Sequence, residues 1–185
     1  YNNCSNLFCV NLKETKSSIK ELGWIKKVKI SLILPAGLKI SIEEQKPKYI
    51  LAEKNIFKLL NSDGKLITKV EKVKEKYKRL LFLSGKRASE KIKELSFILS
   101  GSPNLAKKIT AAKLISDRRW ALVYMSNIEI ELPEKNAKAT FAKIEEIHKK
   151  YGLLSNRLKK IDLRIKDRMI IKLKMNEVVI KESKI

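Results

Sequence analysis

From Val28 to Glu43 the chain keeps a two-residue rhythm on either side of a turn, and no other feature constrains its fold as tightly. Val28, Ile30, Leu32 and Leu34 alternate with Lys27, Lys29 and Ser31, with Ile33 out of step. Pro35-Ala36-Gly37 follows, and then Leu38, Ile40 and Ile42 alternate with Lys39, Ser41 and Glu43. Successive side chains of a strand point to opposite faces. The segment therefore predicts a β-hairpin with one buried apolar face, ended by Pro47. Before it, Leu12, Ile19 and Leu22 share one side of a helix over 12–22 that Gly23 stops.

Further along, residues 48–68 read as short strands, with Asn61-Ser62-Asp63-Gly64 as a tight turn. A lysine-rich connector spans 69–79. Ala88, Ile92, Leu95 and Leu99 place an amphipathic helix at 88–99. Gly101-Ser102-Pro103 breaks it, and Ser102 or Asn104 can cap a short second helix. Strands are expected at 110–116, over Trp120 to Tyr124, and over Ile128 to Leu132, with Ser126-Asn127 turning between the last two. A helix from Ala137 to Tyr151 points Phe141, Ile144, Ile147 and Tyr151 inward, and Gly152 caps it. Two strands, Leu158 to Ile165 and Met169 to Met175, meet at a turn over Lys166-Asp167-Arg168. The tail beyond is expected to be loose. Hairpins and meanders outweigh βαβ alternation, so the fold class is α+β with mainly antiparallel sheets.

Catalytic chemistry finds little footing. His148 is the only histidine and sits beside the inward face of a helix, where packing or surface roles prevail. Ser84-Gly85-Lys86 has Leu80 where a phosphate loop needs glycine. Glu43-Glu44 and Glu145-Glu146 are adjacent pairs that cannot face one another, and read as solvated charge. Cys4 and Cys9 are too few for a disulfide framework or a zinc site. They either pair in an oxidising compartment or stay as small apolar residues. The reading is a protein that is not an enzyme and needs no cofactor or metal. No run of 18 apolar residues is present to cross a membrane, and no signal peptide is seen. The chain starts at Tyr1 and reads as a fragment whose anchor lies outside it.

Against 20 Asp+Glu stand 42 Lys+Arg, a formal charge of +22. Such a chain attracts polyanions. Yet the basic residues are mainly Lys, alongside much Ile and Asn, and AT-rich codons supply all three. The charges are also spread rather than clustered, which favours codon bias over a nucleic-acid tract.

Several segments, in order, carry a resemblance. Gly23-Trp24-Ile25-Lys26-Lys27-Val28-Lys29-Ile30, Leu34-Pro35, Leu38-Lys39-Ile40-Ser41-Ile42-Glu43-Glu44 and Pro47 form one block. Asn61-Ser62-Asp63-Gly64 and Leu83-Ser84-Gly85 follow. Arg118-Arg119-Trp120-Ala121-Leu122 runs on to Ile128 and Pro133-Glu134, and Ile161-Asp162-Leu163-Arg164 precedes Asp167-Arg168. Over about residues 7–175 this resembles the FtsQ/DivIB family of cell-division proteins, in its α-proteobacterial form. Departures mark a divergent member. Ser31, Leu32 and Ile33 replace arginines, Gln45 an Arg, Tyr49 an Ala, and Asn127 the usual turn Gly.

The resemblance implies a partial POTRA domain over 1–50 that lacks its first strand and helix, a β-domain over 51–176, and a flexible tail over 177–185. It implies a single-pass inner-membrane protein with this region in the periplasm. It also implies a scaffold that binds FtsB and FtsL and links early to late division proteins by adding a partner strand to its last strand. Arg164 is the implied partner contact, Arg118 or Arg119 would do likewise, and Asp162 shares the motif and the polar face of Arg164. Met169, Ile171, Leu173 and Met175 make one face of the last strand, and Ile170, Lys172 and Lys174 the other. If that strand is an edge, only lysines guard it. Ile165 and Leu173 stand where some members have aromatics, so contact there would be aliphatic. Asp162 and Arg164 read equally well as a surface ion pair. The rival readings are a basic nucleic-acid-binding module, which needs exposed aromatics among clustered Lys/Arg, and an outer-membrane assembly protein with POTRA repeats.

Overall fold

In the computed structural model of this chain, β1 (Ile25–Ile33) and β2 (Gly37–Glu44) pair antiparallel, with Val28 opposite Ile42, Ile30 opposite Ile40 and Leu32 opposite Leu38. The described residues are 11–34, 37–54, 56–125, 127–155, 157–165 and 167–174, so Cys4, Cys9, Met175 and the tail lie outside them. The helix expected ahead of the hairpin is α1 (Leu12–Glu21), capped by Asn11, whose side chain accepts from the Glu14 amide at 3.2 Å. The expected buried face of the hairpin does not form. Val28 is buried, but Leu32, Ile40 and Ile42 are exposed. Among the described residues one ten-residue helix packs on β1, and the β2 row stays exposed.

The chain divides into two compact units, one running to Leu80 and the other from Leu81. The first contains the hairpin and three antiparallel strands in the order β3 (Tyr49–Glu53), β4 (Ile56–Leu60), β5 (Leu66–Val70). Tyr49, Ile50, Leu51, Leu59, Leu60 and Ile67 are its core. The β4–β5 turn is built by Asn61. Its side-chain oxygen accepts from the amides of Asp63 and Lys65, both at 2.9 Å, and its amide nitrogen donates to Gln45 Oε1 at 2.8 Å. That last bond ties the hairpin's end to the sheet. The lysine-rich connector ends in a 3₁₀ turn over Glu75–Tyr77 that buries Tyr77.

The second unit orders its strands β11 (Ile170–Leu173), β10 (Leu158–Asp162), β9 (Ile128–Glu131), β8 (Arg119–Tyr124), β7 (Ile109–Ile115), β6 (Leu81–Ser84). Three of these pairings are antiparallel, but β6–β7 and β9–β10 are parallel. Parallel neighbours need a crossover. One is α2 (Ile92–Leu99) with α3 (Pro103–Ala106), and the other is α4 (Ala137–Tyr151). Two βαβ units thus sit inside an α+β fold that remains mainly antiparallel. The short β6 shows no readable alternation, and the chain pattern did not mark it.

Ala112, Leu114, Trp120, Leu122, Tyr124, Ile128, Ile130 and Ile161 form the buried face of this sheet. Ile92, Leu95, Ile98, Phe141 and Ile144 are the buried stripes of α2 and α4 that such a face requires. Three expectations shift. The helix begins at Ile92, with Ala88 buried in the turns before it. Tyr151 is exposed, because it is the last residue of α4 before Gly152 turns the chain away at φ 65°. The closing strands are shorter than 158–165 and 169–175, because the Arg164 amide turns back to donate to Asp162 Oδ1 at 3.0 Å and ends the ladder.

Candidate partner-binding edge

Among the described residues β11 ends the strand order and pairs with β10: Ile171 lies opposite Ile161, Ile170 opposite Asp162 and Lys172 opposite Lys160. This register puts Ile171 on the buried face and Ile170 and Lys172 on the other. All four residues from Ile170 to Leu173 are exposed, three of them large apolar side chains. Met169 is half-buried and Ile165 exposed. Between Ile170 and Leu173 the only charge is Lys172, and there is no proline. Natural edges are usually guarded by several charges, a proline or a bulge. The sole irregularity in this pair lies between Leu158 and Lys160, on the inner strand.

The face carrying Ile170 and Lys172 also carries the charged row of the neighbouring strands. Glu131 of β9 lies beside Asp162, and Glu129 beside Lys160. Lys160 Nζ sits 2.5 Å from Glu131 Oε1 and 3.5 Å from Glu129 Oε2. The hydrogen bond to Glu131, followed by the charges of Glu129 and Glu131, raises the Lys160 ammonium above its ordinary range. Arg164 Nε donates to both Asp162 oxygens at 2.9 Å, and Nη2 donates to Oδ2 at 2.6 Å. Those bonds hold the Asp162 carboxyl below its ordinary range and raise the guanidinium. Arg164 Nε is also 2.7 Å from Glu131 Oε2, yet that buried oxygen has no aligned hydrogen bond. Nε carries one hydrogen and directs it at Asp162, so the contact with Glu131 is ionic.

Arg118 and Arg119 lie at the same end of the sheet. By register Arg119 falls two residues before Ala121, which pairs with Glu131, just as Arg164 falls two residues after Asp162. Two strand spacings separate those positions, roughly 10 Å. Arg118 reaches Glu134 at 4.0 Å, and Arg119 Nε is buried with no hydrogen-bond partner among the described residues. The fold thus gathers Arg118, Arg119, Asp162, Arg164, Ile165 and β11 at one corner. The chain pattern did not single out Glu131. Its signal was present: Glu129 and Glu131 share one face of a strand, as Lys160 and Asp162 share one face of another.

His148 stands away from this corner and accepts from the Leu154 amide at 3.2 Å through Nδ1, closing the turn after α4. Glu145 is not a freely solvated charge. It accepts from the buried Ser102 hydroxyl, from Asn104 Nδ2 at 3.0 Å, and pairs with Lys149 at 2.9 Å. Ser102 also caps α3 by accepting from the Leu105 amide. Led by the Ser102 hydrogen bond, these contacts lower Glu145 from 4.5 to about 2. A carboxylate lowered on folding stabilises above its unfolded value, and that contribution fades as pH falls through the folded one. We expect thermal stability to drop between pH 4.5 and 2, and less steeply in Glu145→Gln; equal slopes in the two melting series would remove Glu145 from the account. Among the described residues no group of three His, Cys, Asp or Glu side chains is placed to hold a metal ion. Nor is any helix there long and apolar enough to cross a membrane.

The fold and this corner define a class: a POTRA-type hairpin module followed by a β-rich α+β unit with an open strand at its edge. Residues 2–45 match the FtsQ-type POTRA domain, and residues 48–164 match the C-terminal region of cell division protein FtsQ/DivIB. The chain belongs to the FtsQ/DivIB family of cell division proteins. Cell division protein FtsQ of Rickettsia typhi is 31% identical over 92% of this chain and 63% of its own length. That of Novosphingobium aromaticivorans is 25% identical over 88% of this chain and 51% of its own. This chain therefore spans roughly half to two-thirds of the length of these relatives. The solved extracytoplasmic domain of the cell division protein DivIB from Geobacillus stearothermophilus covers 62% of this chain and 99% of itself, at 11% identity and a TM-score of 0.41.

Proposed function

We propose that this chain is the periplasmic part of a non-catalytic division scaffold, anchored in the inner membrane by a single upstream span. It binds FtsB- and FtsL-type proteins by accepting a partner strand along β11. The observation that carries this reading is the outer edge of β11: among the described residues it is an apolar, proline-free end strand with every residue exposed. Main-chain hydrogen bonds along that edge would supply affinity, and alternate side-chain sites would supply selectivity. Ile170 and Lys172 would meet the incoming strand on the face that also presents Arg164. Ile171 and Leu173 would meet it on the other face, with Leu173 standing where some relatives have an aromatic. The nucleic-acid reading draws no support from the aromatics. Trp120, Tyr49, Tyr77, Tyr124 and Phe141 are buried, and among the described residues only Phe97 and Tyr151 are exposed.

The test is amide hydrogen exchange of the chain with and without the extracytoplasmic FtsB–FtsL segment of the same organism, at physiological salt. New protection concentrated over Met169–Met175, lost in Arg164→Glu, is the expected result. Binding without protection there would move the interface elsewhere and overturn strand addition at β11.

A further inference from the structure

We propose that Glu131 is a positioning residue for Arg164: a buried carboxylate on β9 that fixes the guanidinium beyond the end of β10 at the partner-binding corner. This rests on the docking reading above, and it adds a residue that touches no incoming strand.

Arg164 belongs to no strand. It follows β10, where the chain has already left the ladder, and its side chain is about half exposed. A long cationic side chain in that setting would sample many rotamers. Here it has two fixed neighbours. Asp162 grips it from its own segment through Nε and Nη2, and Glu131 approaches Nε from the adjacent parallel strand at 2.7 Å. Asp162 closes β10 and grips the guanidinium from two residues away on the same stretch of chain, so alone it would fix one side of it only. Glu131 is anchored differently. It is 7% exposed, its own carbonyl accepts from the Leu163 amide at 3.0 Å, and Lys160 holds its other carboxylate oxygen. The sheet itself therefore sets the coordinate of the second charge. The remaining terminal nitrogen, Nη1, makes no hydrogen bond to the described residues and is left for an acceptor outside. Ordering a long side chain before docking removes an entropic cost from binding.

Glu131→Gln keeps the shape and removes the charge, while Lys160 retains Glu129. Two readouts are needed. In the free protein, the Arg164 Nε–H resonance is expected to show a rigid side chain, and in Glu131→Gln a mobile one, with the backbone amide spectrum of β9 and β10 unchanged. Affinity for the same FtsB–FtsL segment is expected to fall about three- to tenfold, the cost of ordering one long side chain. In an Arg164→Ala background, Glu131→Gln should cost nothing more, because there is no guanidinium left to position. A rigid Arg164 in Glu131→Gln overturns the proposal, and so does a full additional loss in the double variant. If Arg164→Ala leaves binding intact, the docking role of Arg164 fails, and the Nε–H readout still decides whether Glu131 positions it.

Discussion

Gly85→Ala is expected to destabilise the second unit by about 2–6 kcal/mol, enough to unfold a domain of ordinary stability. Gly85 follows β6 at φ +120°, where side chains are rarely tolerated. A Cβ there would stand 2.6 Å from the Leu114 carbonyl oxygen and 2.9 Å from the Leu114 Cβ. Leu114 cannot yield. It is buried in β7, paired to Trp120 of β8, and its neighbour Lys113 pairs to Ser84 of β6. Gly152 supplies the contrast. It too has positive φ, at +65°, but a Cβ there meets nothing within 4 Å. Gly152→Ala should cost only backbone strain, about 1–2 kcal/mol. The measurement is the chemical denaturation midpoint of both variants. Equal shifts would mean that the crowding at Leu114 is not what demands glycine at 85.

That contrast shows how far a one-dimensional pattern reaches. Gly152 was readable as a helix cap because the helix before it has a clear period. Gly85 stands in a failed phosphate loop and in the resemblance, and neither shows why glycine is needed, since the atom it must avoid lies on a strand almost thirty residues later. The same divide runs through the corner. Alternation at 158–165 and 169–175 marks two strands, and the structure pairs them, but no alternation marks which strand ends a sheet. The parallel pairs β6–β7 and β9–β10 were under-read for a related reason. β6 has four residues and no alternation to mark it, while β9 alternates clearly but its period does not tell which strand it pairs with. The arginines at 118, 119 and 164 were chosen from the resemblance. Register then explains why they converge, and it brings in Glu131, whose alternation with Ile130 looked like an ordinary solvent-facing strand.

Burial also corrects one charge reading and one apolar one. Glu145 looked like half of a solvated pair, yet the chain brings Ser102 and Asn104 to it from over forty residues away. The apolar row of the first hairpin looked like a core face, yet Ile40 and Ile42 are exposed while Val28 is covered. Periodicity tells which residues share a face. Whether that face is covered depends on what packs on it, and the length of α1 decides that here.

Gly23→Ala is the second substitution expected to act strongly, and its effect should fall on a joint rather than on a core. Gly23 lies between α1 and β1, where it reads simply as a helix stop. Its Cα in fact lies against the β5 backbone: an added Cβ would stand 2.0 Å from the Ile67 carbonyl oxygen and 3.0 Å from its carbonyl carbon. Neither atom is the flexible end of a side chain, so the hairpin module or β5 must move. Ile67 is buried, which makes the module the part that gives way. The second tie at this joint is the Asn61–Gln45 hydrogen bond at 2.8 Å, and a shift of the hairpin stretches it. Displacing tightly packed backbone costs about 1–3 kcal/mol, and losing a part-buried amide pair adds about 0.5–1.5 kcal/mol. Hydrogen exchange should therefore speed up in β1, β2 and β5 of Gly23→Ala while β7 and β8 keep their protection. Asn61→Ala should reproduce part of that pattern, and it also strips the acceptor from the Asp63 and Lys65 amides. If Gly23→Ala instead leaves β5 protection unchanged, the close approach at Ile67 does not hold the hairpin to the sheet, and the joint must rest on Asn61 and Gln45.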